Sequence, residues 1–141
     1  PKALASVYLR KKNMAEAEKN LQILLYSDDR EVRRQVINSV GIKPAADLPK
    51  IDWDETATAT ITRDKVHNNR YDLLILDGEA TKISGISVAK TLHDEEENLP
   101  PILILTARQQ DEWLVGWAGA KSVERPLTPL KLQEAVSAAL R

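Results

Sequence analysis

The chain has no cysteine, so disulfides and thiolate metal sites are excluded, and the compartment expected is a reducing cytoplasm. Nor does it carry a segment that reads as a membrane span or an export signal. The apolar stretch from Ala3 to Leu9 is too short, and Arg10-Lys11-Lys12 follows it, the reverse of secretory charge order. An excess of one charge sign is lacking too: with 20 basic and 21 acidic residues the formal net charge is −1, too little to attract nucleic acid. There is no glycine-rich phosphate loop of either nucleotide type, no nucleophile elbow and no His-Glu-x-x-His. His67 and His93 have no metal-ligand spacing and read as surface residues. An ordinary nucleotide-binding or hydrolytic enzyme is disfavoured, as are direct nucleic-acid and membrane partners.

What remains is a chain of 141 residues, 43% apolar and 29% charged, the size and balance of one globular unit with a single sizeable core. Residues 1–20 are rich in Lys, Glu and Ala and precede the first strand signal, so they are expected to form a disordered or loosely helical extension to a domain over residues 21–141. Met14, the only methionine, offers an alternative natural start.

Three apolar runs dominate the rest. Ile23-Leu24-Leu25-Tyr26 leads to Asp28-Asp29, Leu73-Leu74-Ile75-Leu76 leads to Asp77, and Ile102-Leu103-Ile104-Leu105 leads to Thr106. Each run predicts a strand, with a weaker one over Ile51 to Thr56 and a short one near Ser122 to Glu124. Helices are predicted between and after them. Val32, Val36, Ile37 and Val40 mark one that Gly41 closes; a polar one runs from Thr58 to Asn68; Ile86, Val88, Ala89 and Leu92 mark a third. The acidic run Asp94 to Glu97 ends that third helix as a solvated terminus before Pro100-Pro101. A short helix lies around Asp111 to Ala118, and Thr128-Pro129 opens a last one bearing Leu130, Leu132, Ala135, Val136, Ala139 and Leu140.

Strand then helix, five times over, with continuous apolar strands, demands a doubly wound parallel sheet covered on both faces. Function is then expected beyond the carboxyl ends of the strands. Carboxylates and a hydroxyl delivered to one edge suit a metal-assisted phosphate site.

In this order the residues resemble the receiver domain of two-component response regulators, from Leu21 to Arg141. Ile23 through Arg33 looks like the receiver's first strand, acidic turn and first helix; Asp77 through Gly85 matches the phosphoacceptor aspartate and the glycine eight residues later. Pro101 to Arg108 is similar to the fourth strand with its Thr-Ala pair, and Arg125-Pro126-Leu127 stands where the family has Lys-Pro-Phe. The resemblance implies a flavodoxin-like strand order and a phosphoryl switch rather than an enzyme with turnover. Asp77 would accept a phosphoryl group from a histidine kinase or phosphotransfer protein. Asp28, Asp77 and the backbone carbonyl of Glu79 would hold magnesium, while Thr106 and Arg125 would bind phosphoryl oxygens. Output would pass to a protein target, with no output domain following the fifth helix and with the fourth helix, fifth strand and fifth helix as a face for a homodimer.

This sequence also departs from the family. Ser27 replaces the first of two acidic residues, Arg125 the lysine, Thr81 the proline four residues past the phosphoacceptor, and Ser122 the switching aromatic; the segment from Thr106 to Arg125 is shorter than usual. These changes motivate a second reading, a degenerate receiver that no longer transfers phosphate and serves as a constitutive interaction module. A third, a phosphatase-like hydrolase with Glu79 as the acid, has no cap segment to hold a substrate. Asp28 reads either as a metal ligand or as a helix cap, and Asp29 as a cap or surface charge. Glu79 and Arg108 could pair across the site or stay solvated. Trp53 reads as packing, whereas Trp113 and Trp117, four residues apart, read either as core or as a partner surface.

Overall fold

The structure, a computed structural model, describes residues 20–108 and 111–141. The extension expected ahead of Leu21 falls, Asn20 apart, outside the described residues. Among the described residues five strands alternate with five helices: β1 (Leu21–Tyr26), α1 (Arg30–Val40), β2 (Ile51–Thr56), α2 (Ala59–Asn68), β3 (Leu73–Asp77), α3 (Gly85–Glu95), β4 (Ile102–Thr106), α4 (Glu112–Trp117), β5 (Lys121–Glu124) and α5 (Pro129–Leu140). All strand pairs are parallel, in the order β2-β1-β3-β4-β5. This is the doubly wound, flavodoxin-like sheet expected.

The strands lack polar alternation because both of their faces are covered. Ile23, Leu25, Leu73, Ile75, Leu103 and Leu105 meet Val32, Val36, Leu132 and Val136 of α1 and α5, while Leu24, Tyr26, Leu74, Leu76, Ile102 and Ile104 meet Val66, Val88, Leu92 and Val115 of the other helices. Side chains from one strand therefore divide between two cores. Trp53 is half-buried against the first core and donates from Nε1 to the Gly41 carbonyl at 3.1 Å, a packing role.

Side-chain caps set the helix starts. Asp29, Thr58, Ser84 and Thr128 each accept a hydrogen bond from a first-turn N–H, at the ends of α1, α2, α3 and α5 respectively. Gly41 closes α1, its N–H reaching the Ile37 carbonyl. Asp29 is thus the cap that the sequence allowed.

One feature differs from expectation, and another decides between two readings. The acidic end of α3 is not merely solvated: Glu95 pairs with Arg63, and Glu96, its side chain half-buried, lies 2.8 Å from His67, both on α2. In α4 only Val115 is buried, leaving Trp113 and Trp117 exposed at 68% and 58%. A helix of six residues has one inward side to give, and valine takes it. Lys90 of α3 sits 4.9 Å from the Trp117 ring centre.

Candidate functional site

The parallel register delivers the site. Tyr26 pairs with Leu76, so the next residue of each strand, Ser27 and Asp77, meet side by side; Asp77 in turn pairs with Leu105, which places Thr106 one step further out. Arg125 joins this edge because its backbone N–H donates to the Thr106 carbonyl at 2.7 Å. The Arg125–Pro126 peptide bond is cis.

Asp77 is 2% exposed and hydrogen-bonded at both oxygens. Oδ2 accepts from Ser27 Oγ at 2.7 Å; Oδ1 accepts from the Glu79 N–H and from Arg125, each at 2.9 Å. The Arg125 side chain is 29% exposed, so this ion pair is only partly screened by solvent. Ser27 is fully buried, and its oxygen also accepts from the Asp29 N–H at 3.0 Å. Arg33 fixes the same corner, donating to the Ser27 carbonyl at 2.6 Å and to Glu55 at 3.1 Å.

Two glycines bring the loop after β3 this close. A Cβ at Gly78 would stand 2.7 Å from the Leu105 carbonyl oxygen, and one at Gly85 would stand 2.8 Å from the Asp77 carbonyl oxygen. The spacing of Asp77 and Gly85 noted in the sequence is therefore a packing requirement: α3 starts against the end of β3.

Asp28 lies at the same corner, half-buried. Its Oδ2 accepts from the N–H groups of Thr81 and Lys82 at 2.7 and 3.2 Å, tying the first loop to the one after Asp77. Tyr26 reports on the combined charge: burial first, then the Asp28 and Asp77 carboxylates, raise its hydroxyl pKa above the ordinary value, and it donates to the Ile83 carbonyl at 2.5 Å.

Thr106 is 1% exposed, and its Oγ1 has no hydrogen-bond partner among the described residues; the same is true of Arg125 Nε. Buried hydroxyl and guanidinium donors without partners are rare, because each forfeits its hydration. Glu79 is exposed, and its Oε1 accepts from the Ala107 N–H at 3.3 Å. No ion pair links Glu79 to Arg108 among the described residues, so the pairing across the site foreseen as one option gives way to a bond with the backbone.

The donor set suits magnesium in kind: two carboxylates, Asp28 and Asp77, acting on one tyrosine hydroxyl, and the Glu79 carbonyl, all hard oxygens. Asp28 uses a single oxygen in its loop contacts, leaving Oδ1 for a ligand. No group of three or more His, Asp or Glu able to hold a metal occurs among the described residues. Magnesium does not require one, since it keeps several waters and takes one or two carboxylates.

The chain is 39% identical over 129 residues to an uncharacterized response regulatory protein of Mycobacterium tuberculosis, matched in two strains, with 91% of this chain and 97% of the relative covered. This chain belongs to the response regulator family. No protein-family model matches it. Among solved structures, the chemotaxis response regulator CheY4 of Vibrio cholerae and the Francisella response regulator 1452 receiver domain each superpose on this receiver with a TM-score of 0.71 over 86% of it, at 19% identity, covering 100% and 97% of those chains. The response regulator TrrA from Thermotoga maritima, in complex with magnesium and beryllium fluoride, gives 0.69 at 25% identity, covering 85% of this chain and 99% of that one. These likenesses place the receiver fold on the chain. In it, the edge that carries Ser27, Asp77, Thr106 and Arg125 is the carboxyl end of the sheet.

Sequence reasoning placed Asp77, Thr106 and Arg125 together, but treated Ser27 only as a lost acid. Extending the register of β1 and β3 by one residue would have found it as the partner of Asp77. Arg33 was visible only as part of a motif.

Proposed function

We propose that Asp77 is a phosphoacceptor and that the chain is a receiver switch read by other proteins. The observation that supports this best is the pair of unpartnered buried donors, Thr106 Oγ1 and Arg125 Nε, beside a buried carboxylate. An anion attached to Asp77 supplies what they lack. The N–P bond of a phosphohistidine on a kinase or phosphotransfer protein breaks, a P–O bond to the Asp77 carboxylate forms, and the imidazole leaves neutral, keeping the proton already on its other ring nitrogen. Thr106 donates to one phosphoryl oxygen, and Arg125 pairs with another. Magnesium, held by Asp28, Asp77 and the Glu79 carbonyl, would when bound offset the repulsion between the carboxylate and the phosphoryl oxygens. Output runs through protein contacts. The exposed Trp113, Trp117 and Leu130 favour the face of α4, β5 and α5, which a homodimer or a target would cover. Ser122, half-buried on β5, offers no ring to swing inward, so the contact does not use an aromatic switch at that position.

Calorimetric titration with beryllium fluoride and magnesium tests this reading. The wild type should bind and Asp77→Asn should not. Absence of binding by the wild type, or equal binding by the variant, overturns it.

A second reading, the constitutive interaction module, is favoured by one specific observation: both oxygens of Asp77 are hydrogen-bonded from within, by Ser27, the Glu79 N–H and Arg125. Magnesium titration separates the two. Binding at millimolar levels supports the switch, and none supports the module.

A further inference from the structure

Ser27 is the junction of the site, and each of its polar atoms is engaged. Its N–H donates to the Thr56 carbonyl at 3.1 Å, its Oγ donates to Asp77 and accepts from the Asp29 N–H, and its carbonyl accepts from Arg33 at 2.6 Å. Arg33 stands one turn inside α1, its N–H bonded to the Asp29 carbonyl at 3.2 Å. Helical side chains lean back over the preceding turn, which carries its guanidinium to the carbonyl ahead of the helix. The same guanidinium donates from Nε to Glu55 near the end of β2 at 3.1 Å. The Arg33 side chain is only 16% exposed, whereas Arg30 and Arg34 on the same helix are exposed. Two acceptors at fixed positions suit the planar fork of arginine and not the point charge of lysine.

We propose that Arg33 is a positioning residue for the cation site: it fixes the peptide between Ser27 and Asp28, and so orients the Asp28 carboxylate that would hold magnesium. The inference rests on the phosphoacceptor reading, with the metal ligands named there, and adds a residue that is not itself a ligand. Asp28 is held from two sides, its Oδ2 by the N–H groups of Thr81 and Lys82 and its backbone by the peptide whose carbonyl Arg33 grips. Without the guanidinium, the carbonyl of a fully buried residue loses its charged donor, and the peptide turns to find another. That turn displaces both Asp28 and the Ser27 hydroxyl that donates to Asp77. Charge acts the other way. Arg33 repels a cation, and its removal leaves Glu55 without its ion-pair partner, so electrostatics alone predicts tighter magnesium binding in its absence. The sign of the change therefore separates positioning from charge.

The test is a magnesium titration of wild type, Arg33→Ala and Arg33→Lys, followed in amide spectra well below the thermal midpoint of each. Arg33→Ala should bind magnesium roughly tenfold more weakly, the lower end of what losing the support of a metal ligand costs. Arg33→Lys keeps the charge but serves one acceptor, and should fall between. Before metal is added, the Asp29 N–H of Arg33→Ala should exchange faster than in wild type, because the Ser27 oxygen that holds it is no longer fixed. A merely structural strut would lower the thermal midpoint and leave the affinity of the folded protein where it was. Affinity unchanged or tighter in Arg33→Ala, with the wild type binding, overturns the positioning role and leaves the phosphoacceptor reading standing. Should Arg33→Ala not fold, Arg33→Lys decides alone: weaker binding supports the role, and affinity equal to that of the wild type overturns it. No binding by the wild type overturns both.

Discussion

Replacing Ser27 by alanine should destabilise the protein far more than the loss of one small hydroxyl suggests. Ser27 is fully buried, and its oxygen serves two groups: it donates to Asp77 Oδ2 at 2.7 Å and accepts from the Asp29 N–H at 3.0 Å. Deleting it strips a donor from a carboxylate that is 2% exposed, where water cannot readily take its place. A hydrogen bond to a charged group contributes about 1.5–3 kcal/mol, so the loss should come to roughly 2–3 kcal/mol. For a domain of this size that lowers the thermal midpoint by roughly 6–12 °C. The cost should depend on the charge at residue 77. In an Asp77→Asn background the same replacement should cost only about 1 kcal/mol, the value of an ordinary neutral bond. The four proteins of this cycle can be compared by urea denaturation without magnesium. A cost for Ser27→Ala that is negligible, or identical in both backgrounds, would refute the claim that the serine supports a buried charged Asp77.

Gly85→Ala should cost about 1–3 kcal/mol by overpacking, because its Cβ would sit 2.8 Å from the Asp77 carbonyl oxygen and from Leu76 Cβ; a change of thermal midpoint within error would show that α3 can yield. Trp117→Ala should cost no more than about 1 kcal/mol in urea denaturation, since the ring is exposed and its one charged contact is Lys90; a loss twice as large would make it part of the core. Asp54 accepts from Lys65 at 2.7 Å and Tyr71 at 2.6 Å, and although burial pushes its carboxyl pKa up, those two bonds hold it below the ordinary 3.8. A lowered folded pKa contributes stability that is present above 3.8 and lost as pH falls through the folded value. Burial first, then Asp54, raises the Tyr71 hydroxyl pKa, whose contribution is present below the ordinary 10.0 and fades above it. Asp54→Asn should therefore flatten both limbs of the stability curve against pH, and unchanged limbs would place their origin elsewhere.

The sheet was legible because buried parallel strands must be apolar on both faces, and three such runs ended in Asp or Thr at the expected edge. The weaker β2 could still be read, although Asp52 and Glu55 are exposed along it. Long-range polar pairing was not legible. Arg63 and His67 lie about one helix and one strand away from the acidic residues they meet, a separation that no local period encodes. The same is true of Glu79, whose carboxylate reaches a backbone N–H on β4's exit rather than the Arg108 side chain suggested by spacing. Backbone donors carry no signature in a sequence. Ser27 is the opposite case, since its meeting with Asp77 follows from the register alone.

The most direct test is the intact mass of the protein after incubation with acetyl phosphate and magnesium, alongside Asp77→Asn. The account predicts the addition of one phosphoryl group to the wild type, mapped to Asp77, and none to the variant. A wild type that stays unmodified, or a variant that is modified equally, would contradict it.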